Sequence, residues 1–321
     1  MKFPIFSAQK RAAACLDRKK SNSYTPVRTI AVYYAPDMKL YLDCYPCVLN
    51  QTLAICRDLG IDEAQQKEIF SETLSILSHA NPENPPVDLV ADVNKAIKRI
   101  TGISDLYHHH KQDSTQAALA LYPRAKELVE TAADPFEAAV RLSIAGNIID
   151  FGVQNAFDLP SEVERVMHQP FAVNDLALLR EDIQNTKTIL YIADNAGETV
   201  FDRLLIETIN KEVLYAVRDE PVLNDAVQED ARQAGIDQVA RIISSGVDAP
   251  GMELSRASAD FLEIYHSAEV IISKGQGNYE ALSDRTENIY FLLQAKCDTV
   301  SRLTGAPVGG LIVKSARKNH R

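Results

Sequence analysis

A short polar segment directly after an apolar run is the first place where this sequence can do chemistry. The run 188–193 reads as a buried strand, and Asp194, Asn195 and Glu198 follow it just where a helical pattern begins. In open α/β sheets, ligands bind beside the carboxyl ends of the strands. Carboxylate and amide oxygens are hard ligands of the kind that Mg²⁺ or Mn²⁺ accepts. A local alternative competes, because Asn195 can be an N-cap and Glu198 its capping-box partner.

A second apolar run, 269–273, ends in a lysine and a glycine-rich turn. Lys274 supplies a point charge suited to phosphate, and two glycines allow backbone N–H groups to approach an anion closely. The alternative is an ordinary strand-to-helix turn, since the sequence is neither a Walker loop nor a dinucleotide fingerprint. The predicted substrate-binding turn consists of Gly275, Gln276, Gly277 and Asn278.

A third run, 212–217, is followed by a break at Pro221 and then by Asn224 and Asp225. Asp225 would supply a second carboxylate to an oxygen-ligand metal site, unless it or Asn224 only caps the next helix. Together the three loops offer two carboxylates, amide oxygens and one ammonium group. That set suits a divalent cation that bridges to a substrate phosphate.

The chain resembles the metal-dependent damage-control phosphatases, first grouped as domain of unknown function 89. The resemblance covers about residues 38–315 and rests on five segments in the family's order: Cys44-Tyr-Pro-Cys47, Gly146-Asn-Ile-Ile-Asp-Phe-Gly152, Asp194-Asn-Ala-Gly-Glu198, Val222-Leu-Asn-Asp225 and Lys274-Gly-Gln-Gly-Asn278. It implies that Asp194, Asn195 and Asp225 are metal ligands, and that Lys274 with its turn grips phosphate. The Cys-x-x-Cys resembles the prokaryotic branch of the family, whose substrates are less settled than those of the eukaryotic sugar-phosphate phosphatases.

These observations predict a divalent-metal-dependent phosphatase that hydrolyses small phosphorylated metabolites, such as sugar phosphates or phosphopantetheine-like compounds. Mn, Co, Ni or Mg is the expected metal, and Asp194, Glu198 and Lys274 are the expected catalytic residues. The nucleophile stays open between a water molecule, with Glu198 as its orienter or base, and the carboxylate of Asp194. Two alternatives remain: a non-hydrolytic metal- or nucleotide-binding α/β protein, and a thiol- or metal-responsive binding protein that uses Cys44 and Cys47.

Composition narrows the class of protein and its partners. The 321 residues are 46% hydrophobic, which is ample for a sizeable core, and no run approaches the length of a membrane span. The net charge of −10 argues against general nucleic-acid binding. Five unevenly placed cysteines do not read as a secreted disulfide framework. We therefore expect a cytoplasmic protein whose partner is a small phosphorylated metabolite, with no nucleic acid and no membrane.

Charge and the spacing of apolar residues divide the chain into three predicted parts. Residues 1–37 carry seven Lys or Arg and two Asp, without a signal-peptide core, and are expected to be a loosely ordered extension before a family-like start at Met38. Residues 38–184 show helical spacing, and residues 185–321 alternate short strands with helices. The predicted fold class is therefore α/β: a helical N-terminal domain followed by a mostly parallel, Rossmann-like α/β/α sheet domain.

Other chemical groups lie in the helical part. Asn147 and Asp150 share a helix face in an apolar stretch, so they are expected either to face the substrate or to join a buried polar network. The tract 108–110 consists of three histidines, but consecutive residues on a helix point in different directions, which favours a solvated helix start over a metal site. Cys44 and Cys47 have metal or redox spacing, with Cys56 at most a third thiol; packing is the alternative.

Overall fold

The computed structural model describes the backbone of residues 38–155 and 159–317, and the side chains of residues 38–146 and 163–317. The predicted extension, residues 1–37, lies outside the described residues.

Helices dominate the first half of the described chain, and local signals set their ends. Asp62 accepts hydrogen bonds from the N–H groups of Ala64 and Gln65 and so caps the second helix. Pro86 opens the third, where its missing N–H would be unpaired in any case. Gly102 ends that helix with φ 72°, a conformation that suits glycine. The helices are α1 Cys44–Asp58, α2 Glu63–His79, α3 Pro86–Thr101, α4 His108–Thr131, α5 Pro135–Asn155 and α6 Leu159–His168.

Strands of the described chain form one seven-stranded sheet in the order β1-β7-β6-β5-β2-β3-β4. Every neighbouring pair is parallel except β6 and β7, which are antiparallel. This confirms the predicted fold class, a helical N-terminal region followed by a mostly parallel sheet. The strands are β1 Phe171–Asn174, β2 Thr188–Ile192, β3 Glu212–Val217, β4 Arg241–Ser244, β5 Ile271–Lys274, β6 Ile289–Gln294 and β7 Leu311–Ser315. The helices between them are α7 Leu176–Asn185, α8 Thr199–Ile209, α9 Gln228–Gln233, α10 Ala259–Ser267, α11 Gly275–Leu282 and α12 Asp298–Thr304.

The central strands are apolar along their length because both faces of the sheet are covered. In β2, Ile189 and Tyr191 pack into a core that includes side chains of α5 and α8. The alternate residues Leu190 and Ile192 pack into the opposite core, with side chains of α10 and α11. A third cluster joins α1, α2 and α3. Among the described helices, none combines the length and apolar character that a membrane crossing requires.

Strand β1 was not expected, since it lies in the stretch that the spacing predicts to be helical. Its four residues pair in parallel with β7, about 140 residues later in the chain. A strand this short carries too few residues to show an alternating pattern. It therefore depends on a distant partner that the local sequence does not reveal.

Candidate active site

The site lies where the path of the chain reverses across the sheet. From β2 the chain builds β3 and β4 on one side, and β5 and β6 on the other. Ligands of such sheets bind at the carboxyl ends of the strands beside this switch point. Asp194, after β2, and Gly275, after β5, meet there: a Cβ placed on Gly275 would lie 1.8 Å from Oδ2 of Asp194. Gly275 also has φ 78°, so both the contact with Asp194 and the backbone conformation require a residue without a side chain.

The three expected metal ligands are brought together. Asn195 and Asp225 form an antiparallel bridge between the loops that follow β2 and β3. The N–H of Ala226 donates to the carbonyl of Asp194, at 2.8 Å. The Asn195 amide nitrogen donates to Oδ2 of Asp194, at 3.0 Å, and to Oε2 of Glu198, at 3.3 Å. In this orientation the Asn195 carbonyl oxygen is the amide atom that a cation would use.

Lys274 has different partners from those expected of a phosphate ligand. It is the last residue of β5, and its side chain is fully buried. Its ammonium donates to the carbonyl of Ser143 at 2.8 Å, to Oδ1 of Asp202 at 2.6 Å, and to Oε1 of Glu198. An ammonium group has three N–H donors, and all three are used here. Burial alone would lower the Lys274 pKa, but the charges of Asp202 and Glu198 outweigh it and raise the pKa.

Asp202, in the first turn of α8, is part of the site although sequence reasoning missed it. Its Oδ1 accepts a hydrogen bond from the hydroxyl of Tyr191, and its Oδ2 accepts one from Tyr215, both at 2.7 Å. The two rings stack with centroids 5.3 Å apart on the paired strands β2 and β3. The only signal in the sequence is an aspartate four residues after Glu198, which does not identify its partners.

Arg218, directly after β3, was also missed. Its Nε donates to Oδ2 of Asp225, and its Nη2 donates to Oδ1 of Asn278, each at 2.7 Å. The Asn278 amide nitrogen in turn donates to the carbonyls of Ala193 and Lys274. Asn278, expected to bind substrate, therefore ties the loops after β2, β3 and β5 together. The Nη1 atom of Arg218 is buried without a hydrogen-bond partner among the described residues.

The charges of the buried side chains do not balance. Asp194, Glu198, Asp202 and Asp225 are four buried carboxylates, against the two buried cations Lys274 and Arg218. Burial raises the pKa of Asp194, and it raises those of Glu198 and Asp225 to about 8 and about 7. Nearby cations only partly oppose these shifts. With all four carboxylates ionised, these side chains carry a surplus of two negative charges among oxygen donors, which is what a divalent cation needs.

Lys296, after β6, is a third cation that sequence reasoning did not single out. It is exposed, and its charge is the largest of those that oppose the raised pKa of Asp194. Gln276 holds this loop, because its Oε1 accepts the N–H of Lys296 at 2.9 Å. The Gln276 amide nitrogen donates to Oε1 of Glu280 at 2.8 Å. Burial raises the pKa of Glu280 to about 7. Gln276 thus orients a loop beside the site.

Helix α5 passes next to these residues. A Cβ on Gly146 would lie 2.9 Å from Cγ of Glu198, so the helix packs closely against the aliphatic part of this side chain. Asn147 and Asp150 follow on the same helix, but their side chains lie outside the described residues, and their expected roles stay predictions.

Gly277, in α11, approaches a different segment, because a Cβ there would lie 1.9 Å from the carbonyl oxygen of Pro250. That contact requires a glycine on packing grounds.

The four described cysteines lie in two places. Cys44 and Cys47 lie in the first turn of α1, whereas Cys56 is buried in the helical core. The thiol that accompanies the first two is Cys297. Burial is the main cause that raises the pKa of Cys44 and Cys47, and the charge of Cys297 adds to it, directly after burial for Cys47 and after Glu280 for Cys44. All four are free thiols. In the described part of the chain, no group of three or more His, Cys, Asp or Glu side chains is arranged to hold a metal. A metal site at the strand ends therefore needs the Asn195 amide beside two carboxylates.

The histidine tract opens α4, and the His108 side chain is 58% exposed, as expected of a solvated helix start. Lys111 differs: it is buried, and its ammonium lies 2.9 Å from carboxylate oxygens of both Asp105 and Asp230. The polar sequence around it does not distinguish this buried ion-pair network from a solvated turn.

The chain is similar to known proteins over most of its length. The damage-control phosphatase ARMT1-like domain matches residues 40–312. A damage-control phosphatase of Pyrococcus horikoshii is 34% identical over 282 residues, covering 86% of this chain and 97% of its own. One of Archaeoglobus fulgidus is 32% identical over 288 residues, covering 86% and 99%.

The fold is shared as well. The crystal structure of a DUF89-family protein from Pyrococcus horikoshii superposes with a TM-score of 0.79 at 32% identity, covering 87% of this chain and all of that one. The family match spans most of the chain, and the archaeal relatives align over nearly their whole lengths. The chain therefore belongs to the ARMT1-like damage-control phosphatase family, also known as the DUF89 family.

Proposed function

We propose that this protein is a divalent-metal-dependent phosphatase of small phosphorylated metabolites. The observation that carries the proposal is the buried surplus of two negative charges at the switch point of the sheet, among hard oxygen donors. A dication that binds there would neutralise the surplus and could act as a Lewis acid on a phosphate. The relatives named as damage-control phosphatases support the same class of reaction.

Asp194, Asn195 and Asp225 would hold the metal. Arg218 keeps Oδ2 of Asp225 fixed, so that the carboxylate is oriented before a cation arrives. Asn195 is fixed in turn by its hydrogen bonds to Asp194 and Glu198. When bound, a divalent cation supplies Lewis-acid stabilisation of the phosphoryl oxygens. Mn, Co, Ni or Mg fits these oxygen donors.

Glu198 and Lys296 would act on the substrate itself. Glu198 lies beside Asn195 with its carboxylate held by Lys274, a position from which it can orient a water molecule or accept its proton. Lys296 is exposed at the adjacent strand end, and among the cations its charge acts most strongly on Asp194, whereas Lys274 is buried among its three acceptors. We therefore assign the phosphate contact to Lys296, assisted by the N–H groups at the start of α11. Lys274 instead supports Glu198.

The substrates that we propose are sugar phosphates or phosphopantetheine-like compounds. A small phosphate ester suits a site in which the phosphoryl group reaches strand ends that are almost completely buried. A panel of sugar phosphates, nucleotides and phosphopantetheine derivatives, assayed with each of the four metals, would rank them by kcat/KM.

The decisive test compares two exposed lysines in the presence of metal and an aryl phosphate. Lys296→Ala should lower kcat/KM on the order of 10²-fold, because single electrostatic stabilisers commonly contribute that much. Lys187→Ala is the matched control, an exposed lysine just before β2, at the opposite end of the sheet, and should leave kcat/KM unchanged. A loss below about threefold in Lys296→Ala would remove this lysine from the site. Metal binding without any turnover in the wild-type protein would favour a non-hydrolytic binding protein instead.

A further inference from the structure

A buried chain of polar side chains runs from the centre of the sheet to Glu198. Tyr191 and Tyr215 donate to the two oxygens of Asp202, Asp202 accepts from Lys274, and Lys274 donates to Glu198. Each of these five side chains is at most 1% exposed. Such a network is costly unless every member is paired, and here each hydroxyl, carboxylate and ammonium has a partner.

The network has a fixed end and an end that faces the site. Tyr191 and Tyr215 are register partners on β2 and β3, so the ladder of the sheet sets the positions of their hydroxyls. These hydroxyls stay protonated donors, because burial, followed by the charge of Asp202, raises both pKa values. Asp202 is thereby anchored to two strands.

The site-facing end depends on Lys274. Glu198 and Asp202 are four residues apart at the start of α8, a spacing that places their like charges on one face of the helix. The ammonium lies between the two carboxylates, so its position is set by how strongly each attracts it. The two tyrosine hydrogen bonds to Asp202 offset part of the charge of that carboxylate. Asp202 therefore attracts Lys274 less strongly, and the ammonium interacts more strongly with Glu198.

We propose that Asp202, held by Tyr191 and Tyr215, is a positioning residue that fixes Lys274 and, through it, the Glu198 carboxylate beside Asn195. This inference rests on the proposed function, in which Glu198 acts on the substrate next to the metal ligands. Without the tyrosine donors, Asp202 draws Lys274 toward itself, and the hydrogen bond that orients Glu198 lengthens.

The test uses a tyrosine control from the same sheet. Tyr191→Phe/Tyr215→Phe removes the two donors. Tyr290→Phe is the control: it removes a hydroxyl of a buried tyrosine on β6 that lies away from the site and donates to Asp182, with a hydrogen-bond length of 2.6 Å. We expect the paired variant to lose roughly tenfold or more in kcat, since small displacements of catalytic groups have such effects. Its KM and metal Kd should stay within about threefold. Tyr290→Phe should lose stability but no turnover.

A charge-balanced variant separates positioning from mere stability. Lys274→Met/Asp202→Asn removes one buried charge of each sign and keeps the net charge of the network. Removing Asp202 together with Lys274 leaves one buried carboxylate, Glu198, without its cation instead of two, so this double variant should be less destabilised than Lys274→Met alone. Low kcat in the folded double variant supports positioning. Wild-type kcat in that variant, or in the tyrosine pair, overturns the inference.

A second readout does not depend on turnover. In the metal-free protein, the ¹⁵N ammonium signal of Lys274 should be protected from exchange with water, and it should shift or weaken in the tyrosine pair but not in Tyr290→Phe. An unchanged signal overturns the inference. Absence of metal-dependent turnover in the wild-type protein overturns the proposed function, whereas an active wild type with an equally active tyrosine pair overturns only the positioning role.

Discussion

Gly275→Ala is the substitution whose effect the structure predicts most directly. The new methyl carbon would lie 1.8 Å from Oδ2 and 2.1 Å from Cγ of Asp194, whereas ordinary contacts begin at 3.4 Å. The carboxylate must therefore move by about 1.6 Å, or the loop must shift by a similar amount. Since a misplacement of about 1 Å can cost on the order of 10²-fold in rate, we expect at least that loss in kcat/KM. Metal affinity should fall with it, because Asp194 is an expected ligand.

The backbone contributes separately to this variant and can be controlled for. Gly275 has φ 78°, and a residue with a side chain pays about 1–2 kcal/mol in that conformation. Gly102 has φ 72°, but a Cβ there meets nothing within 4 Å. Gly102→Ala should therefore show a similar loss of stability in urea unfolding, with unchanged metal affinity by calorimetry and unchanged turnover. If Gly275→Ala stays within threefold of Gly102→Ala in both metal affinity and turnover, the assignment of Asp194 as a metal ligand is refuted.

Three further outcomes are expected. Asp194→Ala should abolish metal-stimulated phosphate release while circular dichroism stays unchanged; activity that survives both this change and a chelator contradicts the metal site. Asp248→Asn should cost about 1 kcal/mol at pH 7 in urea unfolding. Hydrogen bonds from Lys95 and Arg256 outweigh burial and lower the Asp248 pKa in the folded protein. The ionised carboxylate therefore stabilises the fold at a pH above its pKa in the unfolded chain, and this stabilisation is lost as the pH falls through its pKa in the folded protein. The difference from wild type should shrink below about pH 4. Lys111→Met leaves the buried Asp230 and the partly buried Asp105 uncompensated and should cost about 3–5 kcal/mol, whereas the same change at the exposed Lys67 should cost under about 1 kcal/mol.

The sheet could be predicted because its central strands are unbroken apolar runs. The run 188–193 corresponds to β2, and 212–217 matches β3, since strands covered on both faces leave little room for polar residues. Knowing that parallel strands share a carboxyl edge was enough to place Asp194, Asn195 and Asp225 near one another. Short edge strands such as β1 are determined by their partner and were missed.

The orientation of individual side chains could not be predicted in the same way. Lys274 follows a strand and precedes glycines, which is equally compatible with a phosphate contact and with the buried ion pairs that the structure shows. Asp202 and Arg218 acquire their roles only from residues that the fold brings to them. Sequence spacing fixes neighbours along one element, whereas these partners come from other strands and helices.

The contact between α5 and Glu198 has a consequence for how such a protein can change over time. The residues proposed for the chemistry follow strands whose positions are held by ladders of backbone hydrogen bonds. Helix α5 reaches them by close packing, at Gly146 and through the Ser143 carbonyl. Substitutions on the helix can therefore reshape the space above the carboxylates without breaking a ladder. Substrate range and reaction type are then free to evolve separately, the first on the helices and the second on the sheet.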